Sequence, residues 1–464
     1  MDSSFAISSY PASGNRHVPG RIKCRLRRLS STIAKRFLPA LLVIIASTAW
    51  CLTEKQPTMP DLHTCQYSNQ LFDSDAALMR QKAPTRFRLM TSRYVEILQA
   101  ARGYNCTGTA TVAFDGHNYV QTGMSDDPGL EELIPVISSL TGMSLVDAFD
   151  VTTFAVIAIG ILVGYAGFWR AYPSRRARWT GAAVFICLGL AEARVADVYI
   201  FQTSPLIAGI PWVLYFALKR KSFALYLSAT LLAFFCSWCS LVRIGTTLIC
   251  MAFLVTLLIG WCGIQKMFLP LLLIVIACIP CSLIERHLIT RRDAILTSLG
   301  ESAIAVNRHP IWHSIYIGLG FVPNSQVSEY NDTVGMDKVR SIDASAPYTS
   351  AKYELILRRE VLKIAKHSPV VLIENLAAKA GIVILLALIL LFPVRRLLFA
   401  ESEVLWLDSA FALAIAVSAM NAILVMPKPA YLLTFLCLTF LYSSVKLCGG
   451  GLPFSWKEIP VARE

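Results

Sequence analysis

Asp126 and Asp127 stand side by side, directly before Pro128, at the start of SDDPGLEELIPVISSLTG. Paired carboxylates can take a proton from an attacking hydroxyl. They can equally start a helix, because an acidic N-cap followed by proline at the first helical position is a common start signal. One cap needs one acid, and here there are two. Beyond them Leu130, Leu133, Ile134, Ile137 and Leu140 or Thr141 recur at helical spacing, and Gly142 closes the run. This spacing predicts an amphipathic helix lying on a membrane surface.

A second set of charges falls at the ends of apolar runs: Glu192, Arg194 and Asp197; Arg243 in CSLVRIGTT; Arg286, His287, Arg291 and Arg292; and Arg358 with Arg359. Charges next to a bilayer are costly and usually have partners. Arg243 has two readings, snorkelling to headgroups or gripping a phosphate with its planar fork. The same alternatives hold for Arg291 and Arg292. Glu192 and Asp197 form a possible acidic element for an acceptor or a metal, whereas Arg194 and Asp197, three apart, would also suit an intrahelical ion pair.

The segment NRHPIWHSIYIGLGFVPN carries His309 and His313, four apart, with Pro310 between them and no third ligand nearby. A metal on a helix would use that spacing, but a substrate-facing strand or loop fits better. Trp312, Tyr316 and Phe321 would stack on sugar rings, and Gly318 and Gly320 would allow close backbone approach. The alternative is a folded cap with its own small core. TSAKYELILRREVLKIAKHSP predicts a helix capped by Thr349 or Ser350, with Tyr353, Ile356, Leu357 and Val361 as its apolar face.

The elements that must position these groups are membrane spans. The chain is 55% apolar and 16% charged, against about a quarter charged in soluble domains, and its mean hydropathy is +0.56. Long apolar runs predict about ten transmembrane helices, near 38–52, 149–169, 179–200, 205–218, 223–241, 246–261, 268–283, 377–394, 404–422 and 431–447. RAYPSRRARW, LKRKS, IQKM and VRRLL then all fall on one side, the cytoplasmic side by the positive-inside rule. The fold class is therefore an all-α polytopic membrane protein with two large outward-facing loops of mixed composition. The expected organisation is a basic cytoplasmic tail (1–37), a first span (38–53), a first outer segment (54–145), spans two to seven (146–285), a second outer segment (286–375), three further spans (376–447) and a cytoplasmic tail (448–464). The expected location is a bacterial inner membrane, with both termini cytoplasmic.

The net charge of +13 reports topology-fixing arginines and contacts to membrane lipids, not nucleic acid. The thirteen cysteines form no metal pattern, and Cys236 and Cys239 lie within a span, where they serve as small packing residues. Cys65 and Cys106 share the first outer segment and would be able to pair in an oxidising compartment. No cofactor is fixed by the sequence, and a divalent cation stays open.

DDPGLEELIPVISSLTGMS running into a span resembles the GT-C class of membrane glycosyltransferases, which includes oligosaccharyltransferases, protein mannosyltransferases and the aminoarabinose transferases of lipid A. The resemblance is one of architecture over Leu38 to Leu241 and of motif over Asp126 to Gly142 only. It implies a polyprenyl-phosphate sugar donor, a glycan, lipid or protein acceptor, and an acidic base on the outer face. In that class the key acid stands soon after the first helix, whereas here the pair closes a long segment. Asp126, Asp127 and Asp115 therefore remain alternatives. Arg194, Asp197, Arg243, Arg291, Arg292, His309, Trp312 and His313 would contact substrate. Two other readings compete. An O-antigen polymerase or ligase would use His309 to Gly320 and outer arginines, leaving Asp126 and Asp127 dispensable. A glycolipid transporter would be expected to show inverted repeats and mid-membrane charges, which the sequence does not display.

Overall fold

The computed structural model describes residues 128–195, 197–298, 310–348, 350–394 and 405–449, two short strands, and isolated positions between 97 and 109. All belong to one compact unit, Glu54–Glu464. Thirteen α-helices make up the described body: α1 (Pro128–Thr141), α2 (Leu145–Ala171), α3 (Arg175–Val195), α4 (Tyr199–Leu218), α5 (Ser222–Val242), α6 (Thr246–Cys262), α7 (Phe268–Ser298), α8 (Ile311–Gly318), α9 (Asp332–Ile342), α10 (Ala351–His367), α11 (Pro369–Leu391), α12 (Leu405–Leu424) and α13 (Pro429–Gly449). Strands β1 (Val112–Phe114) and β2 (Tyr119–Gln121) pair antiparallel, with Val112 opposite Gln121. Val112 packs on Ile295 and Leu296 of α7.

Of the ten expected spans, the first lies outside the described residues, and each of the others is a helix. Among the described residues seven helices are long and apolar enough to cross a membrane: α2, α4, α5, α7, α11 with its short 3-10 extension, α12 and α13. The protein is thus a polytopic, membrane-embedded helical protein. The helix is the natural answer to an apolar run in lipid, since it satisfies every backbone polar group within the segment. Two expected spans fall short of the criterion. Helix α6 has 17 residues, and α3 carries Arg175, Arg176, Arg178, Glu192 and Arg194. Helix ends also differ from expectation. Helix α7 continues past Leu283 to Ser298, and α11 begins at Pro369 instead of Ala377. Charged turns outside the hydrocarbon break an apolar pattern without breaking a helix.

Helices α4 and α13 are the most buried of the spans. Helix α2 lies against α4 along Gly160, Gly164 and Gly167, where a side chain would run into Ser204, the Ile207 carbonyl and Trp212 respectively. Such small-residue stripes let helix backbones approach closely in lipid. Thr203 of α4 and Thr434 of α13 share a hydrogen bond of 2.8 Å. Towards the end of α13, Asp408 of α12 receives Lys446 at 2.7 Å and the Tyr442 hydroxyl at 2.9 Å.

Helix α1 starts at Pro128 and ends before Gly142, whose φ of +69° stops it, as the sequence predicts. Leu130 and Ile134 are buried, whereas Leu140 is exposed. Helices α8, α9 and α10 form a cap with a core of Tyr316, Ile317, Leu319, Val327, Val339, Tyr353, Leu357 and neighbours. The folded-cap alternative thus describes 310–324, and Ile311–Gly318 is helix, not a strand or loop. Ser350 caps α10 by accepting from the Tyr353 amide at 3.2 Å. The predicted apolar face, Tyr353, Ile356, Leu357 and Val361, is buried.

Helix α11 ties the cap to the bundle. The Val322 amide donates to Asn375 Oδ1 at 2.8 Å. Lys379 is 1% exposed and donates to the Leu424 carbonyl, at the end of α12, at 3.5 Å. Gly318 meets that same end, since a Cβ there would fall 2.6 Å from the Leu424 oxygen and 2.8 Å from the Val425 oxygen. The close backbone approach expected at Gly318 is therefore made to the chain itself. Gly318→Ala is expected to lower stability by about 1–3 kcal/mol, seen as an earlier unfolding midpoint in detergent. Gly381→Ala, which meets open space within a helix, is expected to be neutral or stabilising.

Candidate functional site

The end of the bundle that carries the cap collects side chains from four places in the chain. Arg243 ends α5, whose backbone turns at Gly245 (φ +96°) into α6. Its guanidinium lies 4.3 Å from the centre of the Tyr199 ring and donates to the Tyr199 hydroxyl. Arg243 is 8% exposed, so it does not snorkel outward. It is drawn in against the first residue of α4. Tyr199 meets Tyr431 of α13 edge to face, at 5.2 Å between ring centres. The Tyr431 hydroxyl lies 3.3 Å from that of Tyr330 in the cap. Lys428, in the turn between α12 and α13, places its ammonium 4.4 Å from the Tyr330 ring centre and 5.6 Å from that of Tyr431. Two cations and three tyrosines thus form a continuous layer where cap and bundle meet.

Two carboxylates border this layer. Asp197 is buried in the turn between α3 and α4. Asp332 opens α9 and accepts from, or pairs with, His313 Nε2 at 3.2 Å. Burial pushes the Lys428 ammonium below its usual range, and Asp332 and Asp197 oppose that shift. Burial likewise raises the Tyr330 hydroxyl, helped by Tyr431 and Asp332 and opposed by Arg243. Lys428 thus feels Asp332 and Asp197, and Tyr330 feels Asp332 and Arg243.

His313 is buried behind Asp332. Its Nδ1 lies 2.8 Å from the Tyr353 hydroxyl, and the Tyr348 hydroxyl lies 3.4 Å from Nε2. Glu354 accepts the amides of Trp312 and His313 at 2.9 and 3.0 Å, capping the start of α8. His313 is thus a buried hub of the cap that holds Asp332, Tyr353 and Tyr348 together. Trp312 is half-buried, with the Arg358 guanidinium 5.8 Å from its ring centre; Tyr316 is a core residue, so its ring packs inside the cap and is not open for sugar stacking.

Other predicted site residues lie elsewhere. Arg194 is exposed on the last turn of α3, and that helix ends at Val195, so Asp197 is not its intrahelical partner. Arg292 pairs with Asp293 at 2.7 Å and, with Arg291, sits on the extension of α7 that carries β1. Glu192 is fully buried between helices and accepts from Ser204 at 2.7 Å. Asp115, Asp126, Asp127, His309, Cys65 and Cys106 lie outside the described residues. Gly129, two residues after Asp127, abuts the Leu241 backbone, which brings the start of α1 beside the segment that ends in Arg243. Among the described residues no group of three or more His, Cys, Asp or Glu is placed to hold a metal ion.

Lys428 and the three tyrosines are the residues that sequence reading overlooks. The signal was present. On the expected topology VMPKPAY is a short outer turn carrying a lysine, against the same charge bias that marks Arg243. Tyr199 and Tyr431 also stand at helix starts, where an apolar ring with a polar tip suits the membrane edge.

The chain matches no protein-family model, no curated protein and no solved structure.

The hydrogen bond from His313 holds the Asp332 carboxyl below its ordinary value of 3.8. The folded-state value is the lower one, so the stabilising contribution is complete above the unfolded value and is lost as pH falls through the folded one. Hydrogen exchange in α9 is expected to accelerate as pH falls below about 4, after correction for intrinsic rates. Asp332→Asn is expected to flatten that dependence.

Proposed function

We propose that this protein is an integral membrane glycosyltransferase that moves a sugar or glycan from a polyprenyl-phosphate-linked donor to an acceptor at the outer, periplasmic face of a bacterial inner membrane. The observation that carries this reading is the convergence of Arg243 and Lys428, two cations on short turns, on Tyr199, Tyr330 and Tyr431 beneath the cap. An orientation with the arginine-rich turn between α2 and α3 in the cytoplasm puts both cations outside.

The chemistry asks little of an acid. An acceptor hydroxyl attacks the anomeric carbon, and the bond from that carbon to the phosphate oxygen breaks. The phosphate leaves with the electron pair, and the hydroxyl proton passes to a carboxylate. Fixed cations stabilise the leaving phosphate as its charge grows, and the tyrosine faces suit the apolar side of a sugar. Among described residues Asp197 and Asp332 are carboxylates within reach of Lys428.

One observation favours the polymerase- or ligase-like form of this activity over the form based on Asp126 and Asp127. Lys428 faces Tyr330 and Asp332 of the second outer segment, and Tyr431 links that segment to Tyr199 and the Arg243 turn. Glycan analysis by mass spectrometry at matched protein level tests the reading. Arg243→Gln and Lys428→Gln are each expected to lower transfer by about 10²-fold. Unchanged transfer in both variants contradicts the proposal. Loss of transfer in Asp126→Asn or Asp127→Asn, with Asp332→Asn and His309→Ala unaffected, assigns the base to the first outer segment.

A further inference from the structure

Helix α10 leads from the cap into α11, and its outward face is exposed apart from the contact of Arg358 with the Trp312 ring. Leu355, Arg359, Leu362 and Lys366 follow at i, i+4, i+7 and i+11, so they form one stripe, flanked by Arg358 and Lys363. Leu355 is 43% exposed and Leu362 51%, and the four basic residues are exposed as well. Ile311, at the start of α8 beside Trp312 and Arg358, is 61% exposed. The two acids of α10 are absent from this face. Glu354 is buried against the start of α8, and Glu360 pairs with Lys338 at 2.9 Å. Helix α10 is therefore cationic and leucine-bearing on one side and closed against its own core on the other.

Its height relative to a bilayer follows from the chain. Only Ser368 separates α10 from α11. Helix α11 and its 3-10 extension, Pro369–Val394, have 26 residues. At about 1.5 Å per residue they span roughly the full bilayer with both headgroup layers, about 40 Å. Ser368 and the last turns of α10 then lie at headgroup level. Val370 and Ile373 are exposed apolar residues of the adjoining turn, and exposed Glu374 follows them.

We propose that the outer face of α10 rests on the outer leaflet, with Leu355 and Leu362 entering the headgroup boundary and Arg358, Arg359, Lys363 and Lys366 binding anionic phospholipid. A cationic face bearing exposed leucines is the pattern that holds a helix in the plane of an anionic bilayer. Because Tyr353 and Glu354 of the same helix hold His313 and α8, this contact also sets the position of the cap over Arg243 and Lys428. The inference does not depend on the glycosyltransferase reading.

The test uses the full-length protein in nanodiscs of phosphatidylcholine, with or without phosphatidylglycerol, and follows modification of Lys363 and Lys366 by a water-soluble acylating reagent. Phosphatidylglycerol is expected to slow both lysines by about fivefold, and high salt to abolish the difference. Leu355→Gln with Leu362→Gln is expected to reduce the protection while Lys338 keeps its reactivity, which reports an intact cap. If Lys338 reactivity rises, Arg358→Gln with Arg359→Gln replaces that variant, read at Lys363. Equal rates in the two lipids overturn the proposal. So does protection that appears in native membranes and in neither nanodisc, which would assign the face to a protein partner.

Discussion

A guanidinium withdrawn from water at the end of an apolar bundle has to be met by protein groups, and Arg243 is met by Tyr199. The arginine lies over the tyrosine ring and bonds its hydroxyl, so the charge is offset by a π-face and an acceptor in a place where desolvation is costly. Everything else at that end is arranged around this contact. Tyr199 is the first residue of α4, and α4 is fixed by the glycine stripe of α2 on one side and by Thr434 of α13 on another. A shift of either helix would move the ring away from the cation.

The cap extends the same layer through Tyr330, and Lys428 lies over that ring. Its core also meets Val371 and Leu372 of α11, and polar bonds fix its attachment: Asn375 to the Val322 backbone, and Tyr330 to Tyr431. Such contacts are directional, so they set the register of the cap over the cations more closely than apolar packing would. Lys379, buried against the end of α12, places a cation where the helix presents unpaired carbonyls. That turn leads into Lys428, so a buried lysine supports the turn that carries the second cation of this layer.

The membrane architecture was legible in the sequence because lipid imposes long apolar runs, and nine of the expected segments are helices. Helix α3 was legible from its central apolar run, although its arginines and Glu192 depress its hydropathy. The cap was harder to read. Ile311–Gly318 is eight residues long, too short for a periodicity to distinguish helix from strand, and its aromatic residues suggested exposure where packing prevails. Arg243 stood out as a charge against the topological bias. Lys428 carried the same mark in VMPKPAY and passed unnoticed. The pairing of Tyr199 with Tyr431 and of Lys428 with Tyr330 joins residues from distant parts of the chain, and no local pattern encodes such contacts.

The most direct measurement is binding of a short polyprenyl phosphate, such as farnesyl phosphate, to the purified protein, followed by phosphorus NMR. The account predicts saturable broadening or shift of the phosphate signal that is weakened in Arg243→Gln and in Lys428→Gln and restored toward wild type by Lys428→Arg. A phosphate signal that responds equally in wild type and both glutamine variants would contradict it.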